Sequence, residues 1–573
     1  MSITKRLLSL ALVLGITLSL SACGSNQRIG SVAPNITGGA QFDGVIGFDI
    51  AQNDGAFVQQ PANSSNSYKT DSMTPTTNNI VPDPGIMPDP GYTLEEPDWN
   101  TEGYNYIEEN SFRQVSVSPL STFAADVDTA SFSNVRRLVV DRSTITPSAV
   151  RLEEMINYFK YDYEAPAEND EVPFAVTTEV AECPWNPDNL LLQIGLRTPE
   201  IDTSDMPKQN IVLLLDVSGS MNEQNKLPLL KQAMSLLVEN LSNRDALTVI
   251  TYSSSYDVLV DTSMELTKPE IIDIINGINA DGGTNASGAL EKAYEIALNN
   301  FVDDGNNLIL IASDGDFNIG VTDMGSMTRY VKSMAKQGVG LSTLGFGMGN
   351  YKDNMMETLA DNGNGKYYYI DTLDEAKKVL VDEMGGTLLT VARDVKYQVE
   401  FNPAVVYSYR QLGYENRQMA AEDFADDTKD GGEIGAGQTT TVLYELVMAD
   451  SRDDSDSEKD INLKYQTSKT TGSSDICTVA IRWKQPSGSN RSQLEEYPVS
   501  TNKIIDNMSN NMKLASAVAE LGMLLKESEY AGDSSYDSIM DLIDDITFRG
   551  DKGDYVDSLV EVVEAAYDAR LIK

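Results

Sequence analysis

Asp216, Ser218 and Ser220 stand two residues apart in Asn210-Ile-Val-Leu-Leu-Leu-Asp-Val-Ser-Gly-Ser-Met, and the polar atoms of all three side chains are oxygens. Short polar side chains alternating with Val217 and Gly219 can turn three oxygens toward one point, the geometry a hard cation wants. The apolar run Ile211–Leu215 that delivers them reads as a strand buried on both faces. A strand ending in an oxygen-rich loop is where an open α/β sheet holds its ligand. Taken alone, the same spacing also suits a polar turn entering a helix.

Two later stretches add to it. Asp281-Gly-Gly-Thr-Asn-Ala-Ser-Gly sets Thr284 in a glycine-rich turn ahead of an amphipathic stretch, and the buried run Asn307–Ala312 ends in Ser313-Asp314-Gly315-Asp316. Spaced by whole βα units, the three positions converge on one edge of a parallel sheet. With these stretches in place the chain resembles a von Willebrand factor type A domain with a complete metal-ion-dependent adhesion site. The resemblance implies that Asp216, Ser218, Ser220, Thr284 and Asp314 form the metal site, the hydroxyls directly and the carboxylates often through water. The implied ion is Mg²⁺, with Mn²⁺ or Ca²⁺ as alternatives, and the implied ligand is a Glu or Asp from a partner protein.

Two rival motifs fail. Gly345-Phe-Gly-Met-Gly lies late in the sheet and lacks the third glycine at dinucleotide-binding spacing. Asp314-Gly-Asp-Phe-Asn opens like an EF-hand loop, but Ile319 replaces its glycine and Gly325 its final glutamate. Asp316 and Asn318 are then loop-shaping residues.

The elements that must position the site alternate strand and helix from about Lys208 to Leu389, which predicts an α/β fold: a doubly wound, mainly parallel, Rossmann-like sheet. One helix is expected over Leu373–Met384. Before this domain, residues 111–207 read as a mixed module of helices and two strands, with Asp126 and Asp128 as a helix-start cluster. After it, residues 390–573 read as antiparallel strands, one at Ile461–Tyr465, followed by three helices striped by Leu514, Val518 and Leu521, by Ile539 and Ile543, and by Leu559 and Val563. Both flanks resemble the modules that surround the type A domain in one group of bacterial lipoproteins.

At the other end, Lys5-Arg6, the apolar run Leu7–Leu20 and Leu20-Ser-Ala-Cys23 form a signal segment, residues 1–22, that resembles a lipobox. Cys23 is then the lipidated mature N-terminus, tethering the body to the bacterial membrane and facing the cell surface or periplasm. Residues 23–110, mostly rich in Asn, Ser, Thr, Gly and Pro, read as a disordered stalk.

Composition narrows the function. The 573 residues carry 43 Lys and Arg against 87 Asp and Glu, a net charge of −44, which makes nucleic acid a poor partner. The chain has no histidine, which removes Ser-His-Asp and Cys-His catalysis and His-based zinc sites. Cys183 and Cys477 remain as one candidate disulfide or as two separate thiols. The expectation is a non-enzymatic, membrane-tethered surface protein that captures an acidic group through its cation. The alternatives are an envelope scaffold with a structural metal and, less favoured, a metal-assisted hydrolase.

Overall fold

In the computed structural model, which describes residues 101–573 apart from 168–169, 203–205, 317–323, 452–471 and 487–490, strand and helix alternate through the central domain. The signal segment, Cys23, the stalk as far as residue 100 and the strand expected at Ile461–Tyr465 lie outside the described residues.

Numbered along the chain, the N-terminal flank supplies β1 (Arg113–Gln114), β2 (Leu120–Ala124), α1 (Ala130–Val140), α2 (Leu152–Asn157), β3 (Ala175–Glu182) and β4 (Leu190–Arg197). The central domain follows with β5 (Gln209–Asp216), α3 (Leu227–Asn240), β6 (Ala246–Tyr252), β7 (Tyr256–Val260), α4 (Lys268–Asn276), α5 (Ser287–Asn299) and β8 (Asn306–Ser313). It continues through α6 (Met324–Ala335), β9 (Gly340–Phe346), α7 (Asp353–Asn362), β10 (Tyr367–Ile370), α8 (Leu373–Lys377) and α9 (Met384–Leu388). The C-terminal flank adds β11 (Thr390–Phe401), β12 (Val406–Leu412), β13 (Gly432–Gly435), β14 (Thr439–Met448), β15 (Asp475–Lys484) and β16 (Gln493–Ser500), then α10 (Asn510–Leu525), α11 (Tyr536–Asp544) and α12 (Asp551–Asp568).

Ile211, Leu213 and Leu215 enter one apolar cluster with α3, α4, α8 and α9, while Val212 and Leu214 enter another with α5, α6 and α7. That alternation is the signature of a strand covered on both faces. The sheet runs β10-β9-β8-β5-β6-β7, parallel except for β7, which returns along β6. Leu213 stands opposite Val249 on one side and Leu310 on the other. From β5 the chain builds first toward β7 and then back toward β10, so the crevice beyond Asp216 is the switch point of the sheet. The helix expected over Leu373–Met384 is instead split into α8 and α9 by a π turn at Lys378–Asp382, with Val379, Leu380 and Met384 all kept in the core.

The flanks are not the two separate modules expected from the sequence. β14 pairs antiparallel with β4, from Thr439 opposite Arg197 to Leu446 opposite Leu190, while β2 lies on β11 and β1 on β12. Strand edges left open by one flank are thus closed by the other, as their backbone groups require. The result is a sandwich of β1-β12-β14-β4-β3 against β13-β11-β15-β16, with Phe401 stacked on Tyr409 at 4.2 Å in the shared core. The other face of the first sheet is covered by α2 and α10–α12, whose predicted apolar stripes form that cluster. The central domain enters and leaves at neighbouring points: Asn306 donates to both the Gln209 side chain and the Leu388 carbonyl.

Two further expectations are corrected, and the choice left open for the two cysteines falls to separate thiols. Order begins before residue 111: the Gly103 N–H bonds the Tyr351 carbonyl at 2.9 Å, and Glu102 pairs with Arg137. Asp126 and Asp128 do not cap α1. Asp128 accepts the Tyr367 N–H at 2.8 Å, and both carboxylates bind Arg417, because they face a crowded junction and not open helix N–H groups. Cys183 and Cys477 are free thiols, each buried in a different apolar cluster on opposite sides of the first sandwich sheet.

Candidate metal centre

Asp216 ends β5 fully buried, and its Oδ1 accepts the Ser218 N–H at 2.9 Å, folding the chain back as soon as the strand stops. That turn brings the Ser218 and Ser220 hydroxyls 3.0 Å apart. Met221 anchors the far end of the loop in the core. Oδ2 of Asp216 accepts from Ser313 Oγ at 2.7 Å and Tyr252 OH at 3.3 Å, so the ends of β8 and β6 both hold it.

Thr284 is placed by its main chain. The Gly219 N–H donates to the Gly282 carbonyl at 3.0 Å and the Asp281 N–H to the Val217 carbonyl at 2.9 Å, fastening the glycine-rich loop to the Asp216–Ser220 loop. Gly282, at φ +83°, has no room for a Cβ, which would stand 2.9 Å from Ser254 Oγ. The half-buried Thr284 makes no side-chain hydrogen bond among the described residues, so its hydroxyl is available.

Asp314 follows β8 and is fully buried. Its Oδ1 accepts the Asp316 N–H at 3.2 Å, and its Oδ2 accepts from Asn350 Nδ2 at 2.9 Å and Lys226 Nζ at 3.2 Å. Burial, and next the Asp314 charge, push Asp216 up to about 6, against the lowering effect of donors from Ser218 and Ser313. Asp316 is also raised, by partial burial and by Asp314.

The structure thus joins Asp216, Ser218, Ser220 and the loops of Thr284 and Asp314 at one end of the sheet. All candidate donors are hard oxygens, and Asp314 already accepts a cationic group, so the residues fit a divalent ion. Among the described residues no three Asp, Glu, Cys or His side chains gather as metal ligands, which leaves an ion here dependent on the serine and threonine hydroxyls. Ser313, Tyr252, Lys226 and Asn350 were missed by sequence reading. Ser313 stands beside Asp314 in a polar strand end and could have been noticed; Lys226 and Asn350 carry no spacing signal, because only folding brings them to Asp314.

A family model described as von Willebrand factor type A domain matches residues 210–382, one described as von Willebrand factor matches 98–193, and one described as the C-terminal part of uncharacterized protein YfbK matches 386–568. The uncharacterized protein YfbK of Escherichia coli (strain K12) is 40% identical over 449 residues, covering 77% of this chain and 76% of its own length. Human inter-alpha-trypsin inhibitor heavy chain H1 is 24% identical over 39% of this chain, which spans 25% of that protein. A solved structure, von Willebrand factor type A from Catenulispora acidiphila, is similar at 13% identity over 69% of this chain and 90% of that one, with a TM-score of 0.40.

Proposed function

Because the chain belongs to the family of Escherichia coli YfbK and carries a von Willebrand factor type A domain at its centre, we propose that it is a membrane-tethered protein that binds a partner through a divalent cation. Asp216, Ser218, Ser220, Thr284 and Asp314 would hold the ion. The observation that supports this reading is the 3.0 Å contact of the Ser218 and Ser220 hydroxyls, made beside a buried Asp216 and hydrogen-bonded through Gly219 to the loop of Thr284.

A bound Mg²⁺, or Mn²⁺ or Ca²⁺, supplies an electrophilic position that takes a Glu or Asp side chain from the partner protein. The rest is done by this chain. Ser313 and Tyr252 fix the Asp216 carboxylate, Asn350 fixes that of Asp314, and the neutral hydroxyls add donors without cancelling the ion's charge. The net charge of −44 does not forbid an acidic ligand, since charges beyond about 8–10 Å are screened at physiological salt. The sequence around Cys23 supports a lipid tether facing the cell surface or periplasm, and among the described residues no helix is long and apolar enough to cross a membrane.

The test is capture of envelope proteins by the wild type in Mg²⁺, in EDTA, and by the Ser218→Ala plus Ser220→Ala variant. The reading expects a partner held only by the wild type with Mg²⁺. A partner retained equally in all three arms would refute it.

A further inference from the structure

The strongest feature outside the five predicted positions is a buried lysine beside them. Lys226 is 2% exposed, and its ammonium lies 2.6 Å from Asn350 Oδ1 and 3.2 Å from Asp314 Oδ2. A buried ammonium persists only where it is paired and hydrogen-bonded. Its stem also has a built channel: Gly347, at φ +82°, faces it so closely that a Cβ there would stand 2.3 to 2.7 Å from three of the Lys226 side-chain carbons. A side chain at position 347 would evict the lysine. Three loops thus converge to place one positive charge on Asp314: the one entering α3, the one leaving β8 and the one between β9 and α7.

We propose that Lys226 is a built-in competitor for the divalent ion, holding Asp314 in the ion-free protein and setting how tightly the centre takes a cation. The inference rests on the metal-site reading above. Its physics is direct. A divalent ion and an ammonium drawing on the same carboxylate must lie within a few ångströms of each other, where buried charges are poorly screened. Their repulsion weakens ion binding, and the charge of Asp314 is shared between them. An ion held by neutral hydroxyls, Asp216 and an Asp314 whose charge is shared with Lys226 has greater need of an incoming acidic group. Lys226 therefore trades affinity for the ion alone against affinity for the ion together with its ligand.

Mg²⁺ and Mn²⁺ are titrated calorimetrically into the full chain, as wild type, Lys226→Met, Lys226→Gln and Asp216→Ala. Met keeps an apolar stem against Gly347 and Gln keeps a neutral polar end in the channel, so either can stand alone if the other does not fold. The expected result is Mg²⁺ affinity at least about tenfold tighter in the folded Lys226 variants than in wild type. A merely structural lysine would leave the affinity unchanged or weaken it. Unchanged or weaker affinity in a folded Lys226 variant, while wild type binds and Asp216→Ala does not, overturns this inference alone. No uptake by wild type, or uptake undiminished in Asp216→Ala, overturns the metal-site reading and this inference with it.

Discussion

Ser313 Oγ lies 2.7 Å from Asp216 Oδ2 and donates to it, across the boundary between β8 and β5. The same hydroxyl accepts the Gly315 N–H at 2.9 Å, so one serine sets both the first carboxylate of the centre and the turn that carries Asp314. Ser313→Ala should cost about 1–3 kcal/mol, as expected for a hydrogen bond to a charged group, and should weaken Mg²⁺ binding several-fold. Urea denaturation and calorimetry check the two effects; ion affinity equal to wild type would remove Ser313 from the site.

Ion binding should register as stability. With Mg²⁺ at a hundred times its Kd, the native state gains about 2.7 kcal/mol by mass action, seen as a higher melting midpoint. EDTA should leave a cooperative transition, since the packing around β5 is made by apolar side chains that would not ligate the ion. The Mg²⁺-dependent rise should vanish in Asp216→Ala, and its persistence there would place the ion elsewhere.

Arg417 is the tie between the two flanks and the central domain. Its guanidinium lies 2.7 Å from Asp126 and 3.2 Å from Asp128 of the N-terminal flank, and 2.6 Å from Asp361 of α7. Removing it leaves three carboxylates facing one another, so Arg417→Met should destabilise by about 3–5 kcal/mol. A loss below about 1 kcal/mol in chemical denaturation would mean that the junction is held by other contacts.

Glu520 contributes to a pH dependence of stability. It is fully buried within α10, accepts one hydrogen bond from Ser538, and has no partner for Oε1 among the described residues. Burial raises it to about 7, well above its unfolded value. The folded state therefore binds the proton more tightly than the unfolded state. Its contribution to stability is complete below about pH 4.5 and is lost as pH rises through 7, on the order of 1–3 kcal/mol. Glu520→Gln should lower the slope of the stability profile between about pH 4.5 and 7 without abolishing it, because burial also raises Glu153 and Glu433, each to about 8. A variant that keeps the full slope would show that another group causes it.

Cys183 and Cys477 should be protected thiols. Burial pushes both well above the usual thiol range, so an alkylating reagent should leave them unmodified in the native protein and modify both after unfolding without reductant. A peptide linking Cys183 to Cys477 in mass spectrometry would contradict this arrangement.

The central domain was legible from the chain alone, because its information is local. A short apolar run bounded by turn residues and followed by a helical stripe reads locally as a buried strand, so β5 and β8, the α/β order and the type A family were all legible. The apolar stripes of α10 and α12 were legible for the same reason. Asp216, Ser218 and Ser220 could be picked out because their spacing is short. What meets across long separations was settled by packing. Strand edges in one flank carry no mark naming their partners in the other, so the pairing of β4 with β14, and the union of the flanks, follow from closing open edges around a shared core. In the same way nothing near Asp314 in the chain announces Lys226 or Asn350, and nothing near Asp126 announces Arg417. A buried charge finds its counter-charge in space, and that choice exists only once the polypeptide has packed.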